Sequence, residues 1–308
     1  MDDPTESYLL LLLSDSNLPT GSFVASAGLE SYVAHGFFRN PAAKDAMGAM
    51  IAFLRDNLQT YARSSLPFIR DAQKIVLDYA SGVPVADVEA SSDALEEAVV
   101  ALIALDKLYE TTTLNHVARR ASQAQGVALL TLYTKGFVCP PSLCGPEDSD
   151  PDAQGGAREK KVAKLVDRLK LLIRREETYG HLPICWAVLV GALGLSIDRG
   201  AHLHLFLQAR GLLSAAVRMN AIGPYASQQL LLHAVRPLVD AEAAAAREAG
   251  LTTGELSQVT TKTPLSDDVK ARLEDVVEED LRGPVTTWPL GEILAARHDL
   301  LHSRMFNS

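Results

Sequence analysis

The sequence predicts an all-α protein, folded as a single helical bundle domain of about ten helices over residues 1–308. Three observations carry that reading. Apolar side chains recur at steps of three and four along almost every long segment, the spacing that keeps them on one helical face. No stretch alternates apolar and polar residues as a half-buried strand does, and no motif returns at a fixed period. Gly, Pro, Ser and Asn gather between the periodic segments, where helices start and stop. With 47% of its 308 residues hydrophobic, the chain has material for one large core. The formal charge is −9, and no basic cluster is large enough to track a phosphate backbone, so nucleic acid is excluded as a partner class.

The apolar run Tyr8–Leu13 comes first. It is too short to span a bilayer, and Asp2, Asp3 and Glu6 precede it where a secretory signal carries positive charge. The apolar segment from Pro183 to Ile197 also falls short of the roughly 18–20 residues a membrane helix needs. The expected location is therefore the cytoplasm, with no membrane partner. Next, "LPTGSFVASAGLES" from Leu18 to Ser31 reads as a turn leading into a helix. Pro19 and Gly21 suit the turn, Ser22 is placed to cap, and the helix is expected to run to His35, ending at Gly36. Gly28 within that helix costs about 1 kcal/mol against alanine, so it marks close backbone approach. No Gly-Lys-Ser/Thr follows, so this is not a phosphate-binding loop.

Ala42–Arg63 carries Met47, Met50, Ile51, Leu54 and Leu58 on one stripe. Asp93 then reads as an N-cap with Glu96 completing a capping box, opening a long helix; another runs from about Asn115 to Gly136. A third group begins at Pro183, and its first segment is apolar nearly all round, which places it inside the bundle. Gly223 ends one helix and Pro224 opens the next, and Gly250 closes that one at the C′ position. Two polar stretches, 139–157 and 251–268, read as flexible insertions, with a mixed-charge helix near Val269–Leu281. The tail from residue 297 is apolar almost to its last residue through Leu300, Leu301, Met305 and Phe306. Two readings stay open for it: a docked terminal helix, or a tail that orders on a partner.

Candidate chemistry is sparse. Cys139 and Cys144 share a Pro-rich loop without the second pair a zinc site needs, and Cys185 sits in an apolar helix as a small core residue. His202 and His204 point about 200° apart on a helix and cannot share an ion there. His298 and His302, four apart, are weak metal candidates on one helical face without a third ligand nearby in sequence. Glu30 is the one carboxylate in a Gly-rich turn-helix setting; an interface hydrogen bond or a cap is its simplest role. Arg218 ends a helix where its charge suits the dipole, and Gln228 enters the following apolar helix.

Taken together these segments resemble the UreF family of urease accessory proteins over most of the chain. Leu18, Pro19, Gly21, Phe23, Ser26, Gly28, Leu29 and Glu30 fit its N-terminal pattern. "ARRASQAQGVALL" at 118–130, "HLPICWAVLVGALGL" at 181–195, "SAAVRMNAIGPYASQQLL" and the ending "RHDLLHSRMFNS" are similar to four further family motifs in the same order. The segment "MNAIGP" lacks one glycine of the usual hinge, and His302 stands where an aromatic is usual. The resemblance implies an all-helical, non-enzymatic chaperone that forms homodimers, joins UreD (UreH in some organisms) and recruits the GTPase UreG to apo-urease. It implies control of GTP-dependent nickel insertion, with no tightly bound cofactor and nickel only in transit. By the same resemblance, Gly21, Phe23, Ser26, Gly28, Glu30, Arg218, Gly223, Gln228, Arg304 and Phe306 belong to partner-binding surfaces, with Arg304 and Phe306 ordering against UreD. A helical metal-dependent enzyme using Glu30, His298 and His302, or an adaptor for another GTPase, is the alternative.

Overall fold

The computed structural model describes residues 3–15, 18, 20, 22–39, 45–82, 88–140, 154–254 and 283–308, and among them the chain is helical, with no strand. Helix α1 (Asp3–Leu13) leads to a 3-10 turn at Ser22–Val24 and the short α2 (Leu29–Ala34). The long α3 (Ala46–Ser81) and α4 (Val88–Thr112) follow, then α5 (His116–Leu132), α6 (Gln154–Arg174) and α7 (Leu182–Ala192). Helices α8 (Ile197–Arg218), α9 (Pro224–Leu230), α10 (Arg236–Glu248) and α11 (Pro289–Ala296) complete the set.

Helix α7 is the axis of the bundle. Every residue from Pro183 to Ala192 is buried, as a helix apolar on all sides requires. Helix α3 packs along both α7 and α8, and α5 closes another side of α7. Close packing there depends on Gly126: a Cβ on it would overlap the carbonyl oxygen of Gly180, backbone against backbone. The turn before α7 is held by the buried Asp106 of α4. Its carboxylate accepts from Thr178 Oγ1 and from the backbone N–H groups of Tyr179, Gly180 and His181, at 2.5–2.8 Å. His181 then bridges Glu110 of α4 at 2.8 Å and Ser122 of α5 at 3.2 Å. Burial lowers the His181 pKa. One polar knot thus fixes three helices without leaving a buried carboxylate unpaired.

Several expected boundaries moved. Helix α3 runs on to Ser81 straight through Pro67. Proline lacks the N–H that would bond the carbonyl four residues earlier. That carbonyl belongs to Arg63, and the N–H of Val285 takes it at 3.3 Å. Helix α4 starts at Val88, so Asp93 lies inside it and is not its N-cap. Asn115 does cap α5, accepting from Val117 and Ala118, but the α-helix ends at Leu132 and continues as a π turn, Tyr133–Phe137. Helices α9 and α10 join through a second π turn, Leu231–Val235, just before Pro237. Such a wider turn accommodates the missing N–H of a proline. Gly250 has φ +59° after α10, and the Leu251 N–H reaches back to Ala246, the C′ role expected of it. Residues 154–157 of the expected first insertion are the start of α6. Most of both insertions, including Cys144 and the Val269–Leu281 segment, lies outside the described residues. Cys185 is buried and Cys139 exposed.

Candidate partner-docking site

The N-terminal segment and the C-terminal tail meet on one side of the bundle. The expected helix from Ser22 to His35 is split: Ser22–Val24 forms the 3-10 turn, and α2 begins only at Leu29. Gly28 precedes α2 with φ +85°, a left-handed conformation that glycine adopts without strain. A Cβ there would stand 3.3 Å from Ala295 Cβ on α11, so Gly28 does mark close approach, at a helix start rather than inside a helix.

The first turn of α2 places Glu30 inward, where it organises the tail. Its carboxylate accepts from the Met305 N–H at 2.5 Å and the Phe306 N–H at 3.2 Å, and meets His298 Nε2 at 3.1 Å. The Asn307 N–H donates to the Val24 carbonyl at 2.8 Å, and the Ser26 N–H to the Ser308 carbonyl at 2.5 Å. Ser26 and Phe306 are buried by this pairing. The docked terminal helix, one of the two readings of the tail, is not what the chain adopts. A 3-10 turn, Arg297–Leu300, ends at Leu301, and the last residues lie irregularly against their own chain. His298 is buried on Glu30 and His302 is exposed beyond the turn, so their four-residue spacing places them on no common helical face. Among the described residues no group of three His, Cys, Asp or Glu side chains is arranged to hold a metal.

A second anchor is Asp299. It pairs with Arg120 through both guanidinium nitrogens, at 2.9 and 3.0 Å, and with Arg304 at 2.9 Å; His116 is 3.3 Å away. The Arg120 hydrogen bond, with help from His298 and His116, holds the Asp299 carboxyl well below the usual carboxylate range. Arg120 also donates to the Asn307 carbonyl at 2.8 Å. Arg304 is thus exposed and turned along the tail, while Phe306 faces inward. The Arg218 guanidinium, at the end of α8, lies 3.7 Å from the ring centre of Phe23 and 4.4 Å from that of Phe306. Phe23 nevertheless leaves 62% of its surface exposed, and Leu300 (74%) and Met305 (59%) flank the anchored tail with apolar surface.

The remaining expected residues stand apart. Gly223 is the N-cap of α9, and a Cβ added to it would meet nothing within 4 Å, so it serves the turn and no close contact. Gln228 is exposed on α9, and Gly21 lies outside the described residues. Sequence reasoning did not single out Arg120 and Asp299, which lie within two of the resembling motifs but touch across 179 residues, a pairing that neither motif encodes.

The UreF family model matches residues 46–235. A urease accessory protein 6 from Cryptococcus neoformans var. grubii is 41% identical over 316 residues, covering 98% of this chain and 97% of that protein. An uncharacterized urease accessory protein UreF-like from Schizosaccharomyces pombe is 26% identical over 310 residues, covering 100% and 99%. A urease accessory protein F from Oryza sativa subsp. japonica is 27% identical over 219 residues, covering 71% and 65%. The Schizosaccharomyces pombe similarity covers the whole chain and so extends through both segments of the docking site, beyond the bounds of the family match. The chain belongs to the UreF family of urease accessory proteins.

Proposed function

We propose that this protein is a non-enzymatic scaffold of urease maturation, a homodimer that joins UreD (UreH) and recruits the GTPase UreG to apo-urease. In that assembly it controls when GTP hydrolysis accompanies nickel delivery, with nickel as cargo rather than a resident cofactor. The reading rests on the resemblance of five ordered motifs and on the relatives' names. The observation that carries it furthest is the anchored tail. Glu30 and Arg120 hold its backbone, while Leu300, Met305 and Phe23 are left facing outward. A preordered apolar surface with a charged rim suits a protein partner, because the ordering entropy is already spent before the partner arrives. No helix among the described residues is long and apolar enough to cross a membrane, and the reading keeps the cytoplasm as its site of action.

The test mixes the purified chain with its organism's UreD and UreG, GTP and magnesium, then measures complex mass by light scattering after size exclusion. A co-eluting assembly with paired copies of each component is expected. Removing residues 297–308 should abolish UreD binding while far-ultraviolet circular dichroism stays close to that of the intact chain. A truncated chain that still binds UreD normally would reduce the tail to a structural closure.

A further inference from the structure

Beside the anchored tail lies a cavity of about 430 Å³ that enters the bundle between α3, α5, α8 and α11. Its size falls in the range of small-molecule sites, roughly 300–1,000 Å³, and its walls are mainly apolar, as such sites are. Tyr61, Trp186 and His204 form an aromatic inner wall: the His204 and Tyr61 rings stack 4.8 Å apart and 11° from parallel, and Trp186 is tilted by 44° against His204. Burial keeps His204 neutral, with its pKa lowered to about 3. Its Nε2 is buried with no hydrogen-bond partner among the described residues, so the apolar wall carries one polar atom to spare.

Arg218 borders the same cavity and is its odd member. The guanidinium is half-buried between the Phe23 and Phe306 rings, its Nε has no hydrogen-bond partner, and it makes no ion pair among the described residues. Asp15 and Glu292 also border the cavity, and Glu292 turns to Thr286 and Asn115, at 3.4 and 3.5 Å. A half-buried guanidinium with no ion pair among the described residues is open to a further acceptor, since ring faces supply only part of one. Its planar fork matches a carboxylate.

We propose that this cavity binds an amphipathic carboxylate, its head group on Arg218 and its apolar body between Tyr61, Trp186 and Trp288. The site shares Arg218 and Phe23 with the docking surface but goes beyond that reading, because it assigns the cavity a small-molecule ligand. Gly211 gives the inference a clean handle. It lies on α8 and borders the cavity, and a Cβ built there meets nothing within 4 Å. Leucine at that position is expected to occupy part of the cavity, and it suits a helix better than glycine does.

The chain has two tryptophans and both line the cavity, so intrinsic fluorescence reports on it directly. Decanoate, as the probe, should change the emission saturably, and decanol of equal length should bind more weakly. Arg218→Gln should weaken decanoate binding about tenfold or more, the scale of a lost charge-assisted hydrogen bond. Arg218→Lys, which keeps the charge without the fork, should fall between the two. Gly211→Leu should abolish the response in a chain whose melting temperature is unchanged or raised. The proposal is overturned by an unsaturable wild-type response, by decanol binding as tightly as decanoate, or by decanoate affinity that Arg218→Gln leaves unchanged. None of these measurements involves another protein, so their failure is separate from any failure of the scaffold reading.

Discussion

Glu30 is a single carboxylate that accepts two backbone N–H groups of the tail and meets a buried imidazole. Hydrogen bonds to a charged group are worth about 1.5–3 kcal/mol each, well above their neutral counterparts. Glu30→Gln keeps the shape, loses the charge and turns an N–H toward one of those donors. The amides of Met305 and Phe306 should then exchange with deuterium about tenfold faster or more, while the amides of α7 are unaffected. His204 sets a different residue-scale expectation. Its pKa in the fold is lowered from 6.5 to about 3 by burial, so the unfolded chain takes up a proton between those values and the folded chain does not. Stability is therefore fully present above about pH 6.5 and is lost as pH falls toward 3, by up to about 1.4 kcal/mol per pH unit from this residue. His181, lowered by burial as well, acts in the same direction. In urea titrations at pH 7 and pH 5, His204→Phe should lose less stability on acidification than the wild type.

At the scale of elements, the readable parts of the sequence were those whose periodicity follows burial on one side. Helix α7 was recognisable because nothing in Pro183–Ala192 is polar, and α10 because Gly250 follows it. Helix α3 was cut short at Arg63 because its next turn, Ser65 to Ile69, is buried all round and contains Pro67, so it shows neither a stripe nor a permissible interior. What rescues that helix is the Val285 N–H, more than two hundred positions away, and no local pattern encodes it. The site was legible to the same degree. Glu30 and Gly28 stood out as a carboxylate and a glycine in an unusual turn, whereas Arg120 and Asp299 were not singled out within their motifs, because their pairing spans 179 positions. The contact between α5 and the turn before α7 yields the prediction for this scale. Gly126→Ala pushes a methyl group into the Gly180 carbonyl, and neither backbone is free to yield. A loss of about 1–3 kcal/mol is expected from overpacking, visible as a lowered midpoint in chemical denaturation at constant slope. A midpoint equal to wild type would mean that α5 slides along α7 more easily than its buried polar knot implies.

At the scale of the whole molecule, the fold is a core built around one apolar helix, with the segment around Val24–Glu30 and the tail brought together at the surface. The clamp between Glu30 and the tail closes a loop of 275 residues. The entropy of closing a loop rises only slowly with its length, but contacts this distant are made after the local ones have formed. Helices α3 to α10 make their packing contacts without the tail. The Glu30 clamp is therefore expected to close after the bundle has assembled, and to affect how long the finished surface persists more than how fast the bundle forms. A partner docking across Phe23 and Met305 would therefore meet its full surface only on molecules whose interior is assembled and whose tail has already closed on Glu30, so that the clamp would act as a check on maturity.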